Sequence, residues 1–158
     1  MVAVGVYSLA GLSGLGGRIG LGMIADRIGA KPTLVAGLTL QAMSIGAYVF
    51  VDTLPAFYVL AIVFGVAYGG VMPLYAVLVR DTFGPRIMGT MFGAVTMFAS
   101  LGMALGPGAG GFVFDTWGSY SRLYIGSFAI GLCAAAVALM FRPARFSATG
   151  QQRELKHA

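Results

Sequence analysis

Five apolar runs, each long enough to cross a bilayer as a helix, constrain this chain more than any other feature. They cover roughly Val2–Ile24, Thr33–Val51, Pro55–Val79, Ile87–Phe112 and Leu123–Phe141. A spanning helix needs about 20 apolar residues. None of the runs alternates with a period of two, and lipid offers the backbone no partner outside a helix or a closed barrel. The runs therefore predict an all-α integral membrane protein. Five transmembrane helices would occupy a domain over 1–142, and a polar cytoplasmic tail would follow over 143–158. Composition agrees: 58% of the residues are hydrophobic and 9% charged, against about 25% charged in soluble domains. Pro32 and Pro55 stand at the starts of the second and third runs, where a missing N–H costs little.

The basic residues give the threading. Arg27 and Lys31 lie in the first connection, Arg80 and Arg86 in the third, and Arg142, Arg145, Arg153 and Lys156 in the tail. The other two connections carry only Arg122. The positive-inside rule puts the basic side in the cytoplasm. The C-terminus then lies inside and the N-terminus outside, in the cell's inner (plasma) membrane. Trp117 and Tyr120 fall where an interfacial aromatic belt is expected. The formal charge of +5 follows from this asymmetry and does not describe a nucleic-acid surface. No basic leader precedes the first run, so no secretory signal is expected. The single cysteine, Cys133, cannot form an internal disulfide and reads as a small buried or lipid-facing residue.

Charge is concentrated at residues 20–31, GLGMIADRIGAK. Gly22 permits close approach of a neighbour. Asp26 can accept from backbone N–H groups or pair with a base, and Gly29 permits a sharp reversal. Arg27 and Lys31 hold the turn inside. A plain cytoplasmic turn needs only the two bases. The stretch Gly22 to Lys31 resembles the loop signature of the major facilitator superfamily, G-x-x-x-D-R-x-G-R-K, with Ala30 where the family has a base. A second pattern, Gly93, Gly102, Gly106-Pro107 and Gly110-Gly111, fits the family's glycine-rich G-x8-G-x3-G-P-x2-G-G at every position. Gly102, Gly106 and Gly110 would form a smooth packing stripe, and Pro107 would bend the helix.

The resemblance runs from about residue 5 to 143. It implies that the runs correspond to helices eight to twelve of a twelve-helix carrier, an incomplete C-terminal six-helix bundle. Helices one to seven are then expected from the rest of a longer protein or from a partner chain, or are lost by truncation. The nearest branch is similar to the monocarboxylate porters and oxalate:formate antiporters. By resemblance Asp26 and its neighbours work as a conformational latch; in this chain Arg80, at the cytoplasmic end of the third run, is the partner base expected for Asp26.

Arg18 is the one charge well inside a run, six residues or about 9 Å before the end of the first. Intramembrane charges are expensive and mark function, although a long stem can also snorkel to headgroups. The resemblance gives Arg18 a substrate carboxylate. Gly14 stands where the monocarboxylate porters carry an acid, and the fourth run has no base where oxalate porters carry a lysine. Tyr68 and Tyr75 of the third run are candidate substrate contacts and Pro73 a hinge; aromatic packing explains the tyrosines equally. The function implied is alternating-access transport of a small solute, an organic anion such as a monocarboxylate, with a coupling proton or counter-anion. A membrane scaffold or regulatory subunit that moves nothing, or an inactive truncation product, is the alternative.

Enzyme chemistry finds little support. GLSG, Gly11 to Gly14, matches an intramembrane protease motif, but Ser13 needs a histidine base, and the chain's only histidine is His157 in the tail. GLGMIA has dinucleotide-fold glycine spacing without the strand that must precede it. No cluster suggests a metal, and no cofactor is expected.

Overall fold

The computed structural model describes residues 2–51 and 53–141, with side-chain surroundings from residue 5 onward. The tail over 143–158 lies outside the described residues. Those residues form helices α1 (Val2–Ile28), α2 (Ala30–Ala47, continued by a 3-10 turn Tyr48–Phe50), α3 (Leu54–Phe83), α4 (Met88–Trp117) and α5 (Ser121–Met140). No strand occurs among them.

Most helices outrun the apolar segments that predict them. α1 continues past Asp26 and Arg27, α3 past Arg80 and Asp81, and α4 past Asp115. α2 begins at Ala30, before Pro32, and tightens to 3-10 geometry at Tyr48. A helical backbone satisfies itself whatever its side chains, so polarity alone does not end it. Glycine does. Gly29, Gly84 and Gly118 have φ of 100°, 75° and 64°. Their N–H groups donate to the carbonyls of Ala25, Arg80 and Phe114 at 2.8, 2.9 and 2.7 Å, closing each last turn.

Four elements, Ala30–Phe50, Leu54–Phe83, Met88–Trp117 and Ser121–Met140, are long and apolar enough to cross a membrane on their own. α1 has 27 residues but carries Arg18, Asp26, Arg27 and many glycines. It is held along α3, the most extensive helix pair in the bundle. Gly5 approaches Tyr58, Gly14 approaches Gly65 and Gly69, and Gly17 approaches Val66 and Gly70. The pairing advances together along both helices, so α1 and α3 run parallel. Their backbones touch through glycine. A Cβ on Gly17 would collide with the Val66 carbonyl, one on Gly65 with the Ala10 carbonyl, and one on Gly70 would lie 2.6 Å from the Gly17 carbonyl oxygen. Without a hydrophobic drive between helices in lipid, this close contact is the main source of association.

α2 runs antiparallel to α3 and α5 and packs on both. Leu34, Val71 and Leu74 form the buried core, with Leu21, Leu38 and Tyr75 packed around it. Ala42 opposes Gly131 and Gly46 opposes the Phe128 ring. The Lys31 ammonium donates to the Leu139 carbonyl at 2.9 Å, tying the start of α2 to the end of α5. Hydroxyls are satisfied within their own helices: Thr33, Thr39, Ser44 and Thr82 each donate to the carbonyl four residues back. α4 stands apart. Gly110 is its only buried residue, and Phe98 and Leu105 are 69% and 70% exposed.

Candidate functional site

Charge gathers at one end of the bundle, where α1, α3 and α5 end and α2 and α4 begin. Arg27, Lys31, Arg80 and Arg86 are all there, and Gly29 makes the α1–α2 reversal. Asp26 and Arg80 sit at this same end of the parallel α1–α3 pair, both exposed; no ion pair within 4.0 Å joins them. Gly22 has open space where a Cβ would stand. At the far end the Arg122 guanidinium lies 5.0 Å over the Trp117 ring.

Gly29 combines φ 100° with ψ 153°, a region essentially confined to glycine, where other residues cost on the order of 1–3 kcal/mol. Gly29→Ala is therefore expected to lower the unfolding temperature of the detergent-solubilised protein, whereas Gly22→Ala leaves it unchanged.

The candidate solute contacts are distributed and do not meet at one point. Tyr68 lines a cavity of about 1180 Å³ bounded by all five helices. Tyr75 packs on the core and borders a separate apolar space of about 520 Å³ between α2, α3, α4 and α5. Arg18 is exposed and lines neither. On α1 it lies seven residues after Gly11, which does line the larger cavity; seven residues are close to two turns, so the two share a face. Arg18 stands eight residues, about 12 Å of helix, before Asp26.

The glycine pattern of α4 finds no partner among the described residues. A Cβ on Gly93, Gly102, Gly106 or Gly111 would meet nothing within 4 Å, and Gly110 alone approaches a neighbour, Leu123. Pro107 and Pro73 lie inside helices that continue through them. The closest packing belongs instead to Gly14, Gly17, Gly65, Gly69 and Gly70. Ser13 lies at this contact, its hydroxyl donating to the Ala10 carbonyl at 3.0 Å. Among the described residues no group of side chains could hold a metal ion.

Comparison with known proteins gives a consistent picture. The chain is 29% identical over 104 residues, 66% of its length, to a candidate niacin/nicotinamide transporter, NiaP, of Bacillus subtilis, covering 26% of that protein. It is 25% identical over 132 residues, 84% of its length, to the quinolone resistance protein NorA of Staphylococcus aureus, covering 34% of it. It is 24% identical over 144 residues, 90% of its length, to the aspyridones efflux protein apdF of Emericella nidulans, covering 30% of it. The chain thus spans about a quarter to a third of the curated relatives it matches. No solved structure matches significantly. The family model described as Major Facilitator Superfamily matches residues 1–158, the whole chain, and this all-helical membrane bundle therefore belongs to the Major Facilitator Superfamily.

Proposed function

We propose that the chain is part of a secondary transporter that carries a small organic anion, such as a monocarboxylate, across the plasma membrane by alternating access. The observation that carries this reading is Arg18, an exposed guanidinium in the interior of a membrane helix. Facing lipid, such a charge is expensive; facing a water-filled path it is an anion site. The relatives' names, which speak of transport, resistance and efflux, support the coarser part of the reading.

The rest of the arrangement follows from it. The basic end faces the cytoplasm by the positive-inside rule, with the N-terminus outside and the C-terminus inside. Arg18 and Tyr68 contact solute, and Tyr75 supports the helix that bears Tyr68. The unpartnered glycine face of α4 receives helices lying outside this chain, those corresponding to helices one to seven of a twelve-helix carrier. Asp26, with Gly22, Arg27, Gly29 and Lys31, forms a latch that engages Arg80 in one state of the cycle, and Pro73 and Pro107 give α3 and α4 their hinges. A proton or counter-anion is the coupling species.

Membrane vesicles from cells producing the protein test this directly. Uptake of labelled monocarboxylate is expected to fall to background when the gene carries Arg18→Gln. Unchanged uptake by the variant would take the anion site away from Arg18, and uptake no higher than background by the unaltered protein would favour the alternative, a scaffold that moves nothing. The latch has its own check. Asp26→Asn and Arg80→Ala, measured singly and together for uptake, are expected to be non-additive by about 1 kcal/mol, within the range seen for coupled pairs; simple additivity would remove the pairing.

A further inference from the structure

A groove of about 500 Å³ lies between α2 and α5 at the far end of the bundle, lined by these two helices alone. Its wall is apolar throughout. Met43, Val49 and Phe50 come from α2 and its 3-10 turn, and Ile125 and Phe128 from α5. Where the helices meet, the Phe128 ring covers Gly46 so closely that a Cβ there would stand 2.9 Å from it. The groove opens outward: Met43, Phe50 and Ile125 are 61%, 85% and 56% exposed. It shares no residue with the space bounded by all five helices, which takes Ile45, Tyr48, Leu123 and Tyr124 from the same two helices. On the reading of an incomplete bundle, that larger space seats a helix from outside this chain. The groove borders two helices only, and outside a membrane helix pair the surrounding medium is acyl chain.

A charge stands where the groove reaches the end of the bundle. Arg122, Ile125 and Phe128 follow one another at three-residue spacing on α5, so they are neighbours along one ridge, each step descending about 4.5 Å. Arg122 is exposed and is the only base at this end among the described residues. Its guanidinium lies 5.0 Å over the Trp117 ring, and Phe114 and Tyr120 stack at the same end with centroids 4.6 Å apart. Such rings sit at headgroup depth. A stacked guanidinium is held by its face and keeps its N–H edge for an anion, which a phosphate matches with two oxygens. Among the described residues that edge makes no hydrogen bond and no ion pair within 4.0 Å. Asp115 precedes Trp117 by two residues, about 200° round α4, and so stands on the opposite face from that ring. We infer that the groove and Arg122 together hold one phospholipid, with an acyl chain lying along Met43, Ile125 and Phe128 and the phosphate on the Arg122 guanidinium. The site is independent of the solute that the protein carries.

Native mass spectrometry of the full chain, released from detergent micelles doped with a single lipid, tests this. Dioleoylphosphatidylglycerol is expected to be retained as one molecule per chain, about tenfold more tightly than dioleoylglycerol, which has the same chains and no phosphate. Arg122→Gln is expected to bring the phospholipid down to the level of dioleoylglycerol and to leave dioleoylglycerol unchanged. Ala47→Phe fills the groove and is expected to abolish retention of both. Phe50→Ser removes part of the wall at a position where the fold has little to lose, and is expected to weaken both lipids by about fivefold. Trp117 is the only tryptophan of the chain, so its fluorescence reads the headgroup end during the same titration; the phospholipid is expected to shift it saturably in the unaltered chain and not in Arg122→Gln. Glycerol 3-phosphate, a phosphate without chains, is expected not to displace the phospholipid. Equal retention of the two lipids, retention indifferent to both groove substitutions, displacement by glycerol 3-phosphate, or no lipid held by the unaltered chain would each overturn the site.

Discussion

Gly17→Leu is expected to separate α1 from α3 and to leave a protein that no longer survives detergent extraction as a monodisperse species. Gly17 is buried, and any Cβ there would enter the space held by the Val66 backbone. Backbone cannot swing aside as a flexible side chain can, so the whole helix must move. Overpacking a well-fitted contact costs about 1–3 kcal/mol and occasionally more. The upper end applies here, because Gly14, Gly65, Gly69 and Gly70 rely on the same close approach. The control is one residue away. Gly16 is exposed and has nothing within 4 Å of a built Cβ. Gly16→Leu should leave size-exclusion profile and melting temperature unchanged. Equal tolerance of both substitutions would show that the α1–α3 contact does not hold the bundle together.

Arg18→Gln is expected to lower affinity for a monocarboxylate by about a hundredfold. A hydrogen bond to a charged group contributes about 1.5–3 kcal/mol, and about 1.4 kcal/mol is a factor of ten. Lysine tests the geometry as well as the charge. A guanidinium presents a planar fork that matches a carboxylate, whereas an ammonium is a point charge. Arg18→Lys should therefore recover part of the affinity and not all of it. A snorkelling arginine that only anchors α1 in headgroups predicts something different: Lys would equal Arg, and Gln would alter stability without altering solute affinity.

Much of this architecture is legible in the sequence because lipid simplifies the problem. Five apolar runs become five helices, and the basic connections mark one end of the bundle. Helix ends are less legible. Asp26-Arg27, Arg80-Asp81 and Asp115 read as loop by polarity but remain helical, because what ends each helix is a glycine at positive φ a few residues on. Partner choice is less legible still. A stripe of glycines shows that a helix can be approached, not by what. The regular spacing of Gly102, Gly106 and Gly110 draws the eye to α4, yet within this chain the backbones meet at α1 and α3. The signal for that contact was present: Gly14 and Gly17 fall one turn apart, as do Gly65 and Gly69, on helices separated by a single intervening segment. Matching small-residue faces across runs, and not within one, would have found it. The space that Tyr68 borders has no sequence signature at all, since its lining comes from all five helices.

The arrangement of five parallel and antiparallel rods crossing a bilayer, with both basic turns on one side, is tested most directly by cysteine accessibility in intact cells. In a Cys133→Ala background, single cysteines at Thr53 and Ser119 would report on one end of the bundle, and at Arg27 and Pro85 on the other. All four positions are exposed. A thiol reagent that cannot cross the membrane should label Thr53→Cys and Ser119→Cys at once, and should reach Arg27→Cys and Pro85→Cys only after the cells are permeabilised. Labelling of Thr53→Cys and Pro85→Cys from the same side would mean that α3 does not cross the membrane, and the account would be wrong.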